Sequence, residues 1–176
     1  MTFDISGMRV RPATPDDALC VGVLGTQVFL DTYATDGIRP GIAREVLSAF
    51  STAACAALLA EPDTRSLLAE YENHLIGFAQ IALWAGHDLA PVGIQAELFR
   101  LYVQEPFTAQ GVGGALLQSA EALLREHGAS VVWLKSWVHN VRARAFYAKR
   151  GYTDCGRTLY TFEGEAHENR LLAKAL

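Results

Sequence analysis

The chain has 176 residues, 51% hydrophobic and 19% charged, with 15 Lys and Arg against 19 Asp and Glu and a formal net charge of −4. That length fits one domain with a sizeable core, so residues 1–176 are read as a single domain. The lack of a basic surplus argues against nucleic acid, no apolar run reaches the roughly 18 residues of a membrane span, and Met1–Arg11 lacks the layout of a secretory signal, so a cytoplasmic protein with no nucleic-acid or membrane partner is expected.

Met8–Arg11 alternates like a short strand, and Thr14-Pro15-Asp16-Asp17 then supplies an N-cap, a first-turn proline and acids suited to a helix start. Ala18, Val21, Leu24, Val28 and Phe29 recur at helical spacing until Asp36-Gly37 and Arg39-Pro40 interrupt them. A second helical region covers Gly41–Ala60, with Ser51 a candidate restart, and Glu61-Pro62-Asp63 ends it. Ser66–Tyr71 and Leu75–Trp84 read as a hairpin about Glu72-Asn73, and a third long strand spans Ile94–Val103. Gly111–His127 is a glycine-opened helix stopped by His127-Gly128, and Val131–Val138 is the next strand. Asn140 caps a helix through Arg150, after which Tyr152–Cys155, Thr158–Phe162 and Arg170–Lys174 read as closing strands. The strand–helix–strand unit from Ile94 to Val138 requires a parallel pair, so the fold is a mixed α/β sheet.

Cys20, Cys55 and Cys155 are odd in number and form no C-x-x-C pair, while His74, His87, His127, His139 and His167 lack short ligand spacings; reduced thiols and no metal are expected. The chemistry concentrates instead in Thr108-Ala109-Gln110-Gly111-Val112-Gly113-Gly114. Glycines there admit a ligand to the backbone, and the unpaired amides of a helix start favour an anion such as a pyrophosphate. A glycine turn that only packs helix on sheet is the competing reading. The loop is not a Walker A motif, and no dinucleotide fingerprint is present.

Three segments occur in order: Glu97-Leu-Phe-Arg-Leu-Tyr-Val103, Gln110-Gly-Val-Gly-Gly-Ala-Leu-Leu117, and Asn140-Val-Arg-Ala-Arg-Ala-Phe-Tyr147-Ala-Lys-Arg-Gly-Tyr152. Together they resemble the GNAT superfamily of N-acetyltransferases across essentially the whole chain. Phe29-Leu-Asp-Thr-Tyr33 and Trp133-Leu-Lys-Ser-Trp137 further resemble its polyamine and diamine acetyltransferase branch. The resemblance implies a mostly antiparallel α/β (α+β) sheet, with a parallel pair at the acetyl-CoA cleft and about four flanking helices. It also implies acetyl-CoA as cosubstrate and an amine acceptor.

On that resemblance the amides of Gln110, Gly111, Gly113 and Gly114 take the pyrophosphate, within a loop completed by Thr108, Ala109 and Val112. Thr108 stands where the family has Gln or Arg. The backbone of Leu101, Tyr102 and Val103 takes the pantetheine and thioester, and Asn140 and Phe146 border that arm; Arg142, Arg144, Lys149 and Arg150 read first as solvated helix charges, with Arg144 or Lys149 a candidate near the nucleotide end. Glu97 is implied as base and Tyr147 as general acid, a phenol of pKa about 10 facing a thiol of about 8.5. Strict alternation puts Glu97 on one face with Phe99, Leu101 and Val103, where an apolar setting raises its pKa. A surface carboxylate, or an ion pair with Arg100 or Arg142, is the alternative for Glu97, and packing alone is the alternative for Tyr147. Asn140 also reads simply as an N-cap.

Phe29, Asp31 and Tyr33 border the acceptor in the resembled family, with Trp84, Glu97 and Trp137 as further candidates around a cationic amine. Asp31 equally reads as a turn cap. Three functions remain open: a small-molecule amine acetyltransferase, a protein lysine or N-terminal acetyltransferase, and an acyl-CoA-binding regulatory module without turnover. A twofold homodimer is the commonest assembly for such a chain.

Overall fold

A computed structural model describes residues 6–176; the part of Met1–Arg11 before Ser6 lies outside them. The chain divides into two compact units, Met1–Ile81 with Arg100–Ala120, and Ala82–Phe99 with Glu121–Leu176. One mixed sheet orders its strands as Arg9–Pro12, Thr64–Tyr71, His74–Ala82, Gln95–Val103, Val131–Trp137, Glu165–Ala175 and Thr153–Phe162. No single helix among the described residues is long and apolar enough to cross a membrane.

The first unit opens with β1 (Arg9–Pro12), which pairs antiparallel with β2 (Thr64–Tyr71) from Arg9 opposite Glu70 to Pro12 opposite Leu67. Arg9 and Arg11 both donate to the buried carboxylate of Glu70, and Arg11 also holds Asp17 at 2.7 and 2.8 Å. That guanidinium pushes the Asp17 carboxyl down to about 2. Thr14 starts a single 3-10 turn, Pro15–Asp17, and α1 (Ala18–Tyr33) follows. Ala18, Val21 and Leu24 of α1 pack with Cys55, Leu68 and Phe78 in the core of this unit.

The second helical region is broken in two, α2 (Pro40–Ala49) and α3 (Thr52–Ala60), because Ser51 restarts it by accepting from the Ala54 amide at 3.1 Å. The described residues therefore hold five α-helices, in keeping with the expected number of about four. Between β2 and β3 (His74–Ala82) stand only Glu72 and Asn73, both left-handed at φ 50° and 63°, the geometry of a type I′ hairpin.

β4 (Gln95–Val103) and α4 (Val112–Glu126) each begin in one unit and end in the other. α4 ends with Gly128 at φ 81°, the Ala129 amide reaching back to the Leu124 carbonyl at 3.0 Å. In the second unit β4 runs parallel to β5 (Val131–Trp137), with Gln95 opposite Val131, Ala96 opposite Val132 and Glu97 opposite Trp133, and no later pair is registered. After α5 (Val141–Ala148) the chain closes with β6 (Thr153–Phe162) and β7 (Glu165–Ala175), two long strands where three short ones were expected. Gly156 reads as a break but serves a register shift in a continuous strand, its amide held at 3.0 Å by Asp154. β7 pairs antiparallel with both β5 and β6.

Candidate active site

In the first unit, β4 leads through the 3-10 turn Glu105–Phe107 into the glycine loop. The Thr108 amide and hydroxyl both donate to the Glu105 carbonyl, at 3.1 and 2.9 Å, and Gln110 Nε2 donates to the Pro106 carbonyl at 2.7 Å. Ala109 and Gly111 adopt left-handed conformations, φ 59° and 95°, which swing the chain into α4. The first ladder bond of α4 runs from the Ala115 amide to the Gly111 carbonyl at 2.9 Å, so the Val112, Gly113 and Gly114 amides precede the ladder. No acidic side chain occupies the first turn. The fully buried Val112 anchors this end, which presents main-chain donors and a positive dipole end suited to a diphosphate.

Burial in β4 alternates only as far as Phe99, with Ala96 and Leu98 buried and Glu97 and Phe99 half-buried; Arg100 to Val103 are all half-buried. The single face expected for Glu97, Phe99, Leu101 and Val103 therefore rests on no continuous alternation. The Tyr102 ring packs between Phe78, at 5.4 Å, and Phe50, at 6.2 Å, and burial pushes its phenol far up. Tyr102 accordingly offers a ligand its main chain only. Arg100 donates to the buried Gln80 at 2.9 Å and lies 4.6 Å over the Phe50 ring.

Of the acceptor candidates in this unit, Phe29 lies 4.8 Å from Tyr33 and 5.9 Å from Phe50. Asp31 sits exposed inside α1 and makes no turn-capping bond. Tyr33 lines a cavity of about 490 Å³ with Asp36, Gly37, Ile38, Arg39 and Ile42. Asp36, Arg39 and Ile42 escaped sequence reasoning because the Asp-Gly and Arg-Pro pairs were read only as interruptions.

In the second unit, Glu97 forms no hydrogen bond or ion pair among the described residues, with Arg100 and Arg142 included. Burial raises its pKa, and the Lys135 ammonium partly opposes the rise. Lys135 was not singled out in the sequence, although its spacing of two from Trp133 on a strand gives both one face.

Asn140 caps α5, its Oδ1 accepting from the Ala143 amide at 3.1 Å. Tyr147 is buried, with its ring edge-on to Phe146 at 5.1 Å and Tyr152 at 5.4 Å. Arg150 stacks 3.7 Å over Phe146. Arg144 donates to the Val138 carbonyl at 3.3 Å, which ties it to the turn before α5, and its buried Nε has no partner. Lys149 is exposed at the end of α5. Trp137 lies 5.0 Å from His139, edge to face, and Trp84 is exposed at φ 53°.

The three cysteines are free, and no group of three His, Cys, Asp or Glu among the described residues is placed to hold a metal ion. The mixed sheet thus carries one short parallel pair, β4 with β5, joined through a helix opened on glycine amides. A model of the Acetyltransferase (GNAT) family matches residues 36–152. An uncharacterised N-acetyltransferase of Lactobacillus delbrueckii subsp. lactis is 24% identical over 174 residues, 98% of this chain and 99% of its own. Another, from Mycobacterium bovis, is 30% identical over 135 residues, 74% of this chain and 81% of its own. The PaiA N-acetyltransferase of Thermoplasma acidophilum, solved in complex with coenzyme A, superposes with a TM-score of 0.76 at 21% identity, covering 96% of this chain and 99% of that one. The chain belongs to the GNAT family of N-acetyltransferases, whose acyl donor is acetyl-CoA.

Proposed function

We propose that this protein transfers the acetyl group of acetyl-CoA directly to the nitrogen of a primary amine, with Glu97 as base and Tyr147 as acid. The observation that carries the reading is Glu97 itself: a half-buried carboxyl with no partner, at the last registered pair of the parallel ladder. A carboxyl left without a hydrogen bond or ion pair by its own protein, with its proton affinity raised by burial, suits proton removal.

The family's cosubstrate supplies an acetyl thioester. The amides of Val112, Gly113 and Gly114 hold its diphosphate, supported by the loop from Thr108 to Gly111, and main-chain groups of Leu101, Tyr102 and Val103 hold its amide-bearing arm. Asn140 keeps the start of α5 in place. Glu97 takes the proton released as the amine's C–N bond forms, and Tyr147 gives one to the sulfur as the C–S bond breaks, so charge and atoms balance.

The test is CoA release with an amine panel, with the acetylated product identified by mass spectrometry. Glu97→Gln is expected to lower kcat by about 10²–10⁴ and Tyr147→Phe by about a hundredfold, each with near-unchanged acetyl-CoA binding. Undiminished rates in both variants would refute these assignments.

A further inference from the structure

Parallel registration of Glu97 with Trp133 places their side chains on one face of the sheet, and Lys135, two residues along β5, shares it. The Lys135 ammonium lies 5.4 Å from the Trp133 ring centroid, a cation held over an aromatic face. Lys135 is exposed and, like Glu97, makes no hydrogen bond or ion pair among the described residues. Two opposite charges thus stand on one face of adjacent strands, near enough to feel each other and yet not joined. Their backbone positions differ by two residues along the strand, about 7 Å, an offset comparable to the span of one small zwitterion. Trp137, two residues further on β5, offers an aromatic wall on the same face.

We infer that the acceptor is an amino carboxylate, its amine presented to Glu97 and its carboxylate to the Lys135 ammonium, which makes Lys135 the specificity-determining residue. This inference rests on the acetyltransferase reading. The ammonium neutralises the carboxylate of such an acceptor and repels the second cation of a diamine, so the face selects against the polyamines suggested by the Phe29–Tyr33 and Trp133–Trp137 segments. The long flexible stem of lysine lets the charge follow acceptors of different size.

The experiment measures CoA release with the standard amino acids, their amides, the amines formed by decarboxylating them, and spermidine, for the wild type, Lys135→Met and Lys135→Glu. The wild type is expected to prefer at least one amino acid over its own amide and amine by about tenfold to a hundredfold in kcat/KM. Lys135→Met erases that preference through KM, with the KM for acetyl-CoA unchanged, and Lys135→Glu shifts it toward the amine and spermidine. Equal or better turnover of amides, amines or spermidine by the wild type, or a preference untouched in Lys135→Met, overturns the inference and leaves the acetyltransferase reading standing. Absence of CoA release with every amine overturns that reading and this inference with it.

Discussion

The Tyr152 hydroxyl donates at 3.1 Å to Glu121, a buried carboxylate that also accepts from Lys174 Nζ at 2.9 and 2.8 Å. Burial and then the adjacent Glu121 charge push the Tyr152 phenol far up, so it stays a donor. A buried carboxylate of this kind is stabilised only while both partners remain, and removing it strands a half-buried ammonium. Glu121→Ala is therefore expected to lower unfolding stability by about 3 kcal/mol in urea titrations, and Glu121→Gln, which keeps an acceptor, by less. An unchanged midpoint in both variants would show the cluster to be inert. Nothing in the sequence announced it: Glu121, Tyr152 and Lys174 are far apart along the chain, and Tyr152 read as the end of a family segment and the start of a strand. Glu97 and Tyr147 were singled out because an ordered set of segments carried them. Lys135 was not, because its meaning depends on which residue of the neighbouring strand shares its face.

Among the elements, α1 lies against the end of α2 through two glycines. A Cβ on Gly22 would stand 2.4 Å from the Phe50 carbonyl oxygen, and one on Gly25 would stand 2.4 Å from the Phe50 ring. Glycine to alanine inside a helix ordinarily gains about 0.5–1 kcal/mol, but at Gly22 the clash is with main chain and cannot be relieved by a rotamer. Gly22→Ala is expected to lower the melting temperature, and a rise would contradict this packing. The glycine-opened start of α4, the β2–β3 hairpin and the caps at Ser51 and Asn140 were readable because each rests on local chemistry. The continuity of β6 through Gly156 and the point where β4 and β5 stop pairing were not, since both are set by neighbouring strands.

At the scale of the molecule, the main-chain donors before α4 belong to the first unit, and the side chains of Glu97, Lys135 and Tyr147 belong to the second. Three ordered segments carried the resemblance to the family whose model matches the chain. Which side chains share a sheet face was the part least visible in sequence, because register sets it. The central claim is that the Glu97 carboxylate takes the amine's proton. Burial raises its pKa above the ordinary glutamate value, and the base works only when deprotonated, so activity must climb as pH rises through that raised value. The most direct measurement is the pH dependence of kcat/KM for the preferred amine in the wild type and Glu97→Gln. The wild type should show an ascending limb with an apparent pKa above the usual glutamate range, followed by the amine's own limb, and Glu97→Gln should keep only the latter at a rate about 10²–10⁴ lower. Superimposable profiles at equal rates would contradict it.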